Sequence, residues 1–192
     1  MRPSHDETAT SEGIGPLAPR PCSTCPYRQE APGAVWHADE YDKLREYDKH
    51  TAPQPTRLFQ CHVADADSEN RRLCAGWCGC HGEELLALRL ALLDGRISAA
   101  TYQQSVEYQS PTPLFSSGAE AADHGQADID HPSPEALRAM DKISRARSDL
   151  ISAPPTTRAK DHLCLCHNCL LRPALYKGQP GTPITCFSML IG

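Results

Sequence analysis

Apolar positions recur along this chain at helical steps, in stretches set apart by Pro- and Gly-rich segments. Tyr41, Leu44 and Tyr47 follow His37 at three- to four-residue intervals, with Asp39 and Glu40 early and Lys49-His50 late. This predicts an amphipathic helix whose charges complement its dipole and which Pro53 and Pro55 end. Gly82 to Leu93 carries Leu85, Leu86, Leu88, Leu90, Leu92 and Leu93, apolar nearly all round. It predicts a buried core helix with Gly95 as its C-cap. Ser98 can cap a further helix to about Tyr108. Ser117 to Gly125 predicts a short helix that Gly125 terminates. Ser133-Pro134-Glu135 opens a longer helix, with Ser as cap and Pro at its first position, bearing Leu137, Met140, Ile143 and Leu150.

Extended runs are few. Arg57 to Val63 predicts a short strand that delivers Cys61, and Gln29 to Trp36 reads as a loop. Met1 to Arg20 has no hydrophobic period and reads as a disordered leader. Beyond Ser152 the composition changes, Asp161 being the only acidic residue in that stretch. The expected fold is mainly α with short strands and long loops, a small metal-stapled α+β domain at 21–152. An irregular leader, 1–20, precedes it and a Cys-containing tail of uncertain order, 153–192, follows.

Composition narrows the function classes. A net charge of −5 does not favour a general electrostatic hold on nucleic acid, although a local basic patch is not excluded by it. No apolar run approaches the roughly 18–20 residues of a membrane span, and no secretory signal is evident, so a cytoplasmic location is expected. Ten Cys in a reducing compartment point to metal ligation or redox chemistry in place of a disulfide framework.

The thiols have ligand spacing. Cys22-x-x-Cys25, bracketed by Pro21 and Pro26, can point two thiolates from one tight turn at a single ion, and Cys61 and Cys74 are the best completing pair. Three chemistries suit them: structural zinc, an iron–sulfur cluster, or a free redox dithiol. The dithiol is disfavoured locally, since a thioredoxin-type pair follows a hydrophobic strand and opens a helix. His62 neighbours Cys61, but adjacent strand residues face opposite ways, so both reaching one ion requires a bend. Its expected place is behind a ligand or at the surface. Cys78, Cys80 and His81 are candidates for additional ligation, weighed against ordinary buried packing. Cys164, Cys166, His167 and Cys169 have the spacing of a second site, or of a loosely ordered tail.

Other residues have blander readings. Trp36, Tyr41, Tyr47 and Trp77 suit packing around a metal, and Tyr27-Arg28 suits the knuckle's wet outer face. Glu120, Asp123 and His124 are acid/base types that a solvated helix face also explains. No phosphate loop, His-Glu-x-x-His or Gly-x-Ser-x-Gly is present, so no catalytic residue is assigned.

Pro21-Cys-x-x-Cys-Pro-Tyr-Arg28, Gly33-x-x-Trp36, Phe59-x-Cys-His62, Cys74-Ala-Gly-Trp77 and Gly118-Ala-Glu-Ala-Ala-x-His-Gly125 together resemble an uncharacterised family of small cysteine-rich proteins of actinobacteria and their phages. The resemblance covers roughly Pro21 to Leu150. It implies that Cys22, Cys25, Cys61 and Cys74 are the shared thiols, and it implies no substrate. The expectation is a zinc-bearing interaction or regulatory module with a protein partner. The alternatives are an iron–sulfur redox sensor, or a metal-dependent enzyme using a labile Cys with His62 or His81.

Overall fold

The computed structural model describes residues 14–149 and the short strand Leu190–Ile191. Within them the chain forms a small, mainly α fold of six helices and a few very short strands: β1 (Gly15–Leu17), α1 (Ala38–Arg45), β2 (Leu58–Phe59), β3 (Arg72–Leu73), α2 (Ala75–His81), α3 (Leu86–Leu93), α4 (Ala99–Val106), α5 (Gly118–Gln126), α6 (Pro134–Ala146) and β4 (Leu190–Ile191). None of these helices is long and apolar enough to cross a membrane.

Local chemistry sets most helix ends. Ser98, Ser117 and Ser133 each accept a backbone N–H at the start of α4, α5 and α6, with Pro134 at the first position of α6. After α3 the chain turns at Gly95, whose φ of +69° suits a residue without Cβ. Arg96 N–H then bonds Ala91 O at 2.8 Å and Gly95 N–H bonds Leu92 O at 3.2 Å, the paired closure of a Schellman motif. His37 caps α1, and a single 3-10 turn, Glu46–Asp48, extends that helix.

Four expectations need correction. Residues 14–20, assigned above to the leader, begin the ordered fold: β1 pairs in parallel with β3, and Ile14, Leu17 and Ala18 are buried. The helix α2 was not expected. Its Cys-Gly-Cys sequence has weak intrinsic preference, and packing of Trp77 and Cys78, both fully buried, overrides it. The Leu-rich segment begins its α-helix only at Leu86, and one face alone is covered: Ala87, Leu88 and Ala91 are buried while Leu93 is exposed. Gly125 lies inside α5 and does not end it.

Strand register positions two thiols. β2 and β3 meet through the antiparallel Gln60–Leu73 bridge, with Cys74 N–H bonding Phe59 O and Cys61 N–H bonding Arg72 O. Phe59 and Cys74 therefore stand opposite each other. Because side chains alternate with period two, Cys61 projects to that same face, diagonal to Cys74. On the other edge of β2, β4 adds an antiparallel strand.

The aromatic core fills the space behind α2. Trp77 stacks on Phe59 at 6.2 Å and meets Tyr47 edge-on at 5.4 Å, while Tyr27 meets Phe59 edge-on at 5.7 Å. Buried Gln54 ties this core to α3, donating to the carbonyls of Tyr47 and Lys49 and accepting from Leu86 N–H. At the end of α6, buried Arg147 donates to Asp149 and to the His62 carbonyl, and Asp65 accepts from the Ser148 N–H. The loop after Cys61 is thus fastened to the last helix.

Helices α1 and α5 pack antiparallel through small residues, Ala121 and Ala122 being fully buried. Asp48 accepts the Gly118 and Ala119 N–H groups, each at 2.7 Å. A Cβ at Gly125 would come within 2.0 Å of the Tyr41 ring, and the ring cannot retreat because its hydroxyl accepts from Val35 and Trp36 N–H. Gly125→Ala should therefore cost about 3 kcal/mol, the upper end for overpacking. A lowered urea midpoint with unchanged slope checks this.

Candidate metal centre

Three separate segments bring Cys22, Cys25, Cys61 and Cys74 to one region. The first pair sits on a tight turn closed by Cys25 N–H to Cys22 O, 3.1 Å, and continued by Arg28 N–H to Cys25 O, 3.0 Å. Pro21 and Pro26 restrict the backbone on either side. Cys61 ends the β2 run, and Cys74 immediately precedes α2. None of the six described cysteines is in a disulfide.

The sulfurs associate in pairs. Cys25 Sγ lies 3.7 Å from Cys74 Sγ, both residues buried. Cys22 and Cys61 act on each other's ionisation, and both interact electrostatically with Cys74. The close approach of the turn to α2 depends on Gly76: a Cβ there would stand 2.3 Å from Cys25 Sγ. Among the described residues no group of three or more His, Cys, Asp or Glu side chains meets the geometry of a metal site.

Ionisation of the thiols is mutually coupled. The hydrogen bond from Cys22 lowers Cys61 to about 7, helped by the Val63 N–H and by the charges of Arg147 and Arg72. Cys22 is driven far up by the same bond, then by burial and by the charges of Cys61 and Cys74. Cys74 is likewise raised by its hydrogen bond with Cys25, by burial and by neighbouring thiol charge. Backbone amides favour the ionised form at three of the four, opposing the shift at Cys22 (Thr24) and Cys74 (Trp77) and adding to it at Cys61 (Val63).

His62 turns inward. The chain turns directly after Cys61, at residues 62–63, and the imidazole is buried with Nε2 3.2 Å from Cys22 Sγ and 2.6 Å from Thr24 Oγ1. The surface alternative is therefore overturned, for want of a straight strand through 62. Burial pushes this imidazole down to about 3, aided by the Arg147 charge.

The remaining candidates stand apart from the four thiols or outside the described region. Cys78 is fully buried in α2, and burial raises it. Cys80 is half-buried and pushed up to about 12, first by burial and then by Asp48 and Glu120. His81 bonds the Tyr27 hydroxyl at 3.2 Å and faces Asp48 at 3.7 Å. Tyr27, expected at the wet face, is fully buried because α2 and Phe59 cover it. Glu120 accepts from Ser116, Asp123 pairs with Arg45, and His124 Nε2 bonds Ala31 O. Cys164, Cys166, His167 and Cys169 lie outside the described residues.

The fold and its thiol cluster define a small cysteine-rich, mainly α domain with no recognised catalytic signature. The chain belongs to DUF6283, a family of unknown function whose pattern matches residues 17–147. No curated protein and no solved structure matches it.

His81 gives the fold a pH dependence. Burial lowers its imidazole to about 4, Asp48 opposing. The unfolded chain, at about 6.5, takes up this proton first as pH falls. The His81 contribution is complete above about 6.5 and is lost as pH falls through about 4, up to about 3 kcal/mol. His81→Gln should flatten the stability profile by that amount, read from urea unfolding of both proteins across the interval.

Proposed function

We propose that this domain is a zinc-stapled interaction or regulatory module, with Cys22, Cys25, Cys61 and Cys74 as the four ligands. The observation that carries the reading is the 3.7 Å separation of Cys25 and Cys74 sulfurs over Gly76. Sulfurs about 2.3 Å from a tetrahedral zinc stand about 3.8 Å apart along each edge. The donor set also fits chemically. Cys22 and Cys74, both raised in part by neighbouring thiol charge, ionise cheaply only where a cation joins them, and Cys22, Cys61 and Cys74 already receive backbone amides suited to thiolates.

Four protein thiolates would fill a tetrahedral zinc and leave no open position for substrate. The zinc would then hold the turn, the strand end and α2 together, and the surface so organised would serve a protein partner. In small zinc modules such binding contributes about 10–16 kcal/mol, so metal and fold are one equilibrium.

Chain purified without oxygen should carry one zinc per molecule by elemental mass spectrometry, and a strong chelator should lower its thermal midpoint. Gly76→Ala should weaken zinc retention about 10-fold or more by displacing Cys25, as loss of a supporting contact does, measured by chelator competition. A brown protein containing iron and inorganic sulfide would replace zinc with an iron–sulfur cluster. A chain free of both metals would overturn the staple.

A further inference from the structure

Cys25 and Cys74 lie 49 positions apart in sequence, yet their sulfurs touch at 3.7 Å. Both residues are buried, at 0% and 2% exposure. The contact is built from both sides. Gly76, two residues past Cys74, makes room for it, since a Cβ there would stand 2.3 Å from Cys25 Sγ and 3.8 Å from Cys74 Sγ. The turn holds Cys25 through its own backbone bonds, and Cys74 N–H is tied to Phe59 O at 2.9 Å. Cys22, the other thiol of the turn, rests against the His62 ring, 3.2 Å from Nε2 and 3.9 Å from Nδ1. Cys25 thus meets a sulfur across the fold, at the start of α2.

We propose that Cys25 and Cys74 are an oxidation site: they close into a disulfide that joins the turn covalently to the start of α2. The inference rests on the sulfur contact and needs no metal. Closing from 3.7 Å to the bond length of about 2.05 Å is a movement within reach of side-chain rotation. The co-reactant is a low-molecular-weight disulfide. One protein thiol displaces one thiol from it to give a mixed disulfide, and the second protein thiol displaces the other. The two cysteines lose two electrons, the small disulfide gains them, and the cysteine protons leave on the two small thiols. Burial favours closure over a lasting adduct, because a bound small thiol would have to be housed in the packed interior. The cross-link also closes a long loop, which restricts the unfolded chain. Turn and helix then stay joined in oxidising conditions, whatever the sulfurs hold when reduced.

The test uses the full chain, equilibrated in glutathione buffers from fully reduced to fully oxidised, then alkylated and mapped by peptide mass spectrometry. Among the six cysteines from Cys22 to Cys80, the first disulfide to form should join Cys25 and Cys74. It should persist in Cys22→Ser and be lost in Cys25→Ser and in Cys74→Ser. A first disulfide between Cys22 and Cys25, or between any other two of the six, overturns the proposal. So does a chain in which these cysteines take up glutathione adducts alone or stay reduced throughout.

A second measurement needs no variant. With a chelator in both samples, natural chain carrying the cross-link should have a higher urea midpoint than the same chain with it reduced. An equal or lower midpoint overturns the bond as a staple. Zinc content, measured alongside, keeps this inference apart from the metal reading. A zinc-free chain that forms the Cys25–Cys74 bond sinks the metal reading and upholds this one, and a zinc-bearing chain that never forms the bond does the reverse.

Discussion

The approach of the Cys22–Cys25 turn to the start of α2 is the constraint on which the rest of the described fold depends. Cys25 Sγ sits only 2.3 Å from where a Cβ on residue 76 would be, so the turn and the helix meet sulfur to backbone with no side chain of residue 76 between them. That contact sets the height of Tyr27, two residues on, which covers Phe59 and His81. It also sets the position of Trp77, one residue beyond Gly76, against Tyr47 and Phe59. The aromatic core is thus registered by the thiol-bearing segments. Three segments far apart in sequence must be brought together, and the chain entropy lost in closing long loops has to be recovered at their meeting point.

On the far side of the core a different device operates. The α1–α5 pair uses small residues and a carboxylate cap, with Asp48 receiving two amides of α5 while Gly118 and Gly125 let the helices touch. Asp48 also faces His81 at the end of α2. The small-residue interface and the thiol-bearing helix therefore share one polar junction, in which the His81 ring lies against Tyr27 and Tyr47 while Asp48 reaches solvent.

What could be read from the sequence was what local chemistry decides. Ser98, Ser117 and Ser133 act within one turn of themselves, and Gly95 closes α3 through its own φ, so these ends were legible. The helix α2 was not, because its residues favour it weakly and the partners that stabilise it, Tyr47, Phe59 and Tyr27, come from distant segments. β1 was hidden for a similar reason: a three-residue strand in parallel pairing leaves no periodic signature. The inward turn of His62 carries no Gly or Pro to announce it. The shared face of Cys61 and Cys74 was within reach, since recognising the Gln60–Leu73 pairing would have given it by period two alone.

The thiol cluster and the pH response of the chain follow from the same electrostatics. Cys22 is raised and Cys61 lowered by their mutual interaction, and Cys74 is raised by its contact with Cys25, then by burial and neighbouring charge, so Cys22 and Cys74 favour their protonated forms. On the proposed reading, binding a divalent metal must expel those protons, so the affinity of the site rises with pH as the thiols become easier to ionise. Arg147 enters this balance twice. Its charge lowers Cys61, and its guanidinium fixes the His62 carbonyl and Asp149, tying the loop that carries Cys61 to the end of α6. A side chain so fully buried is retained only where its donors are engaged. Here they couple α6 to the ionisation of a thiol eighty-odd residues earlier in the chain.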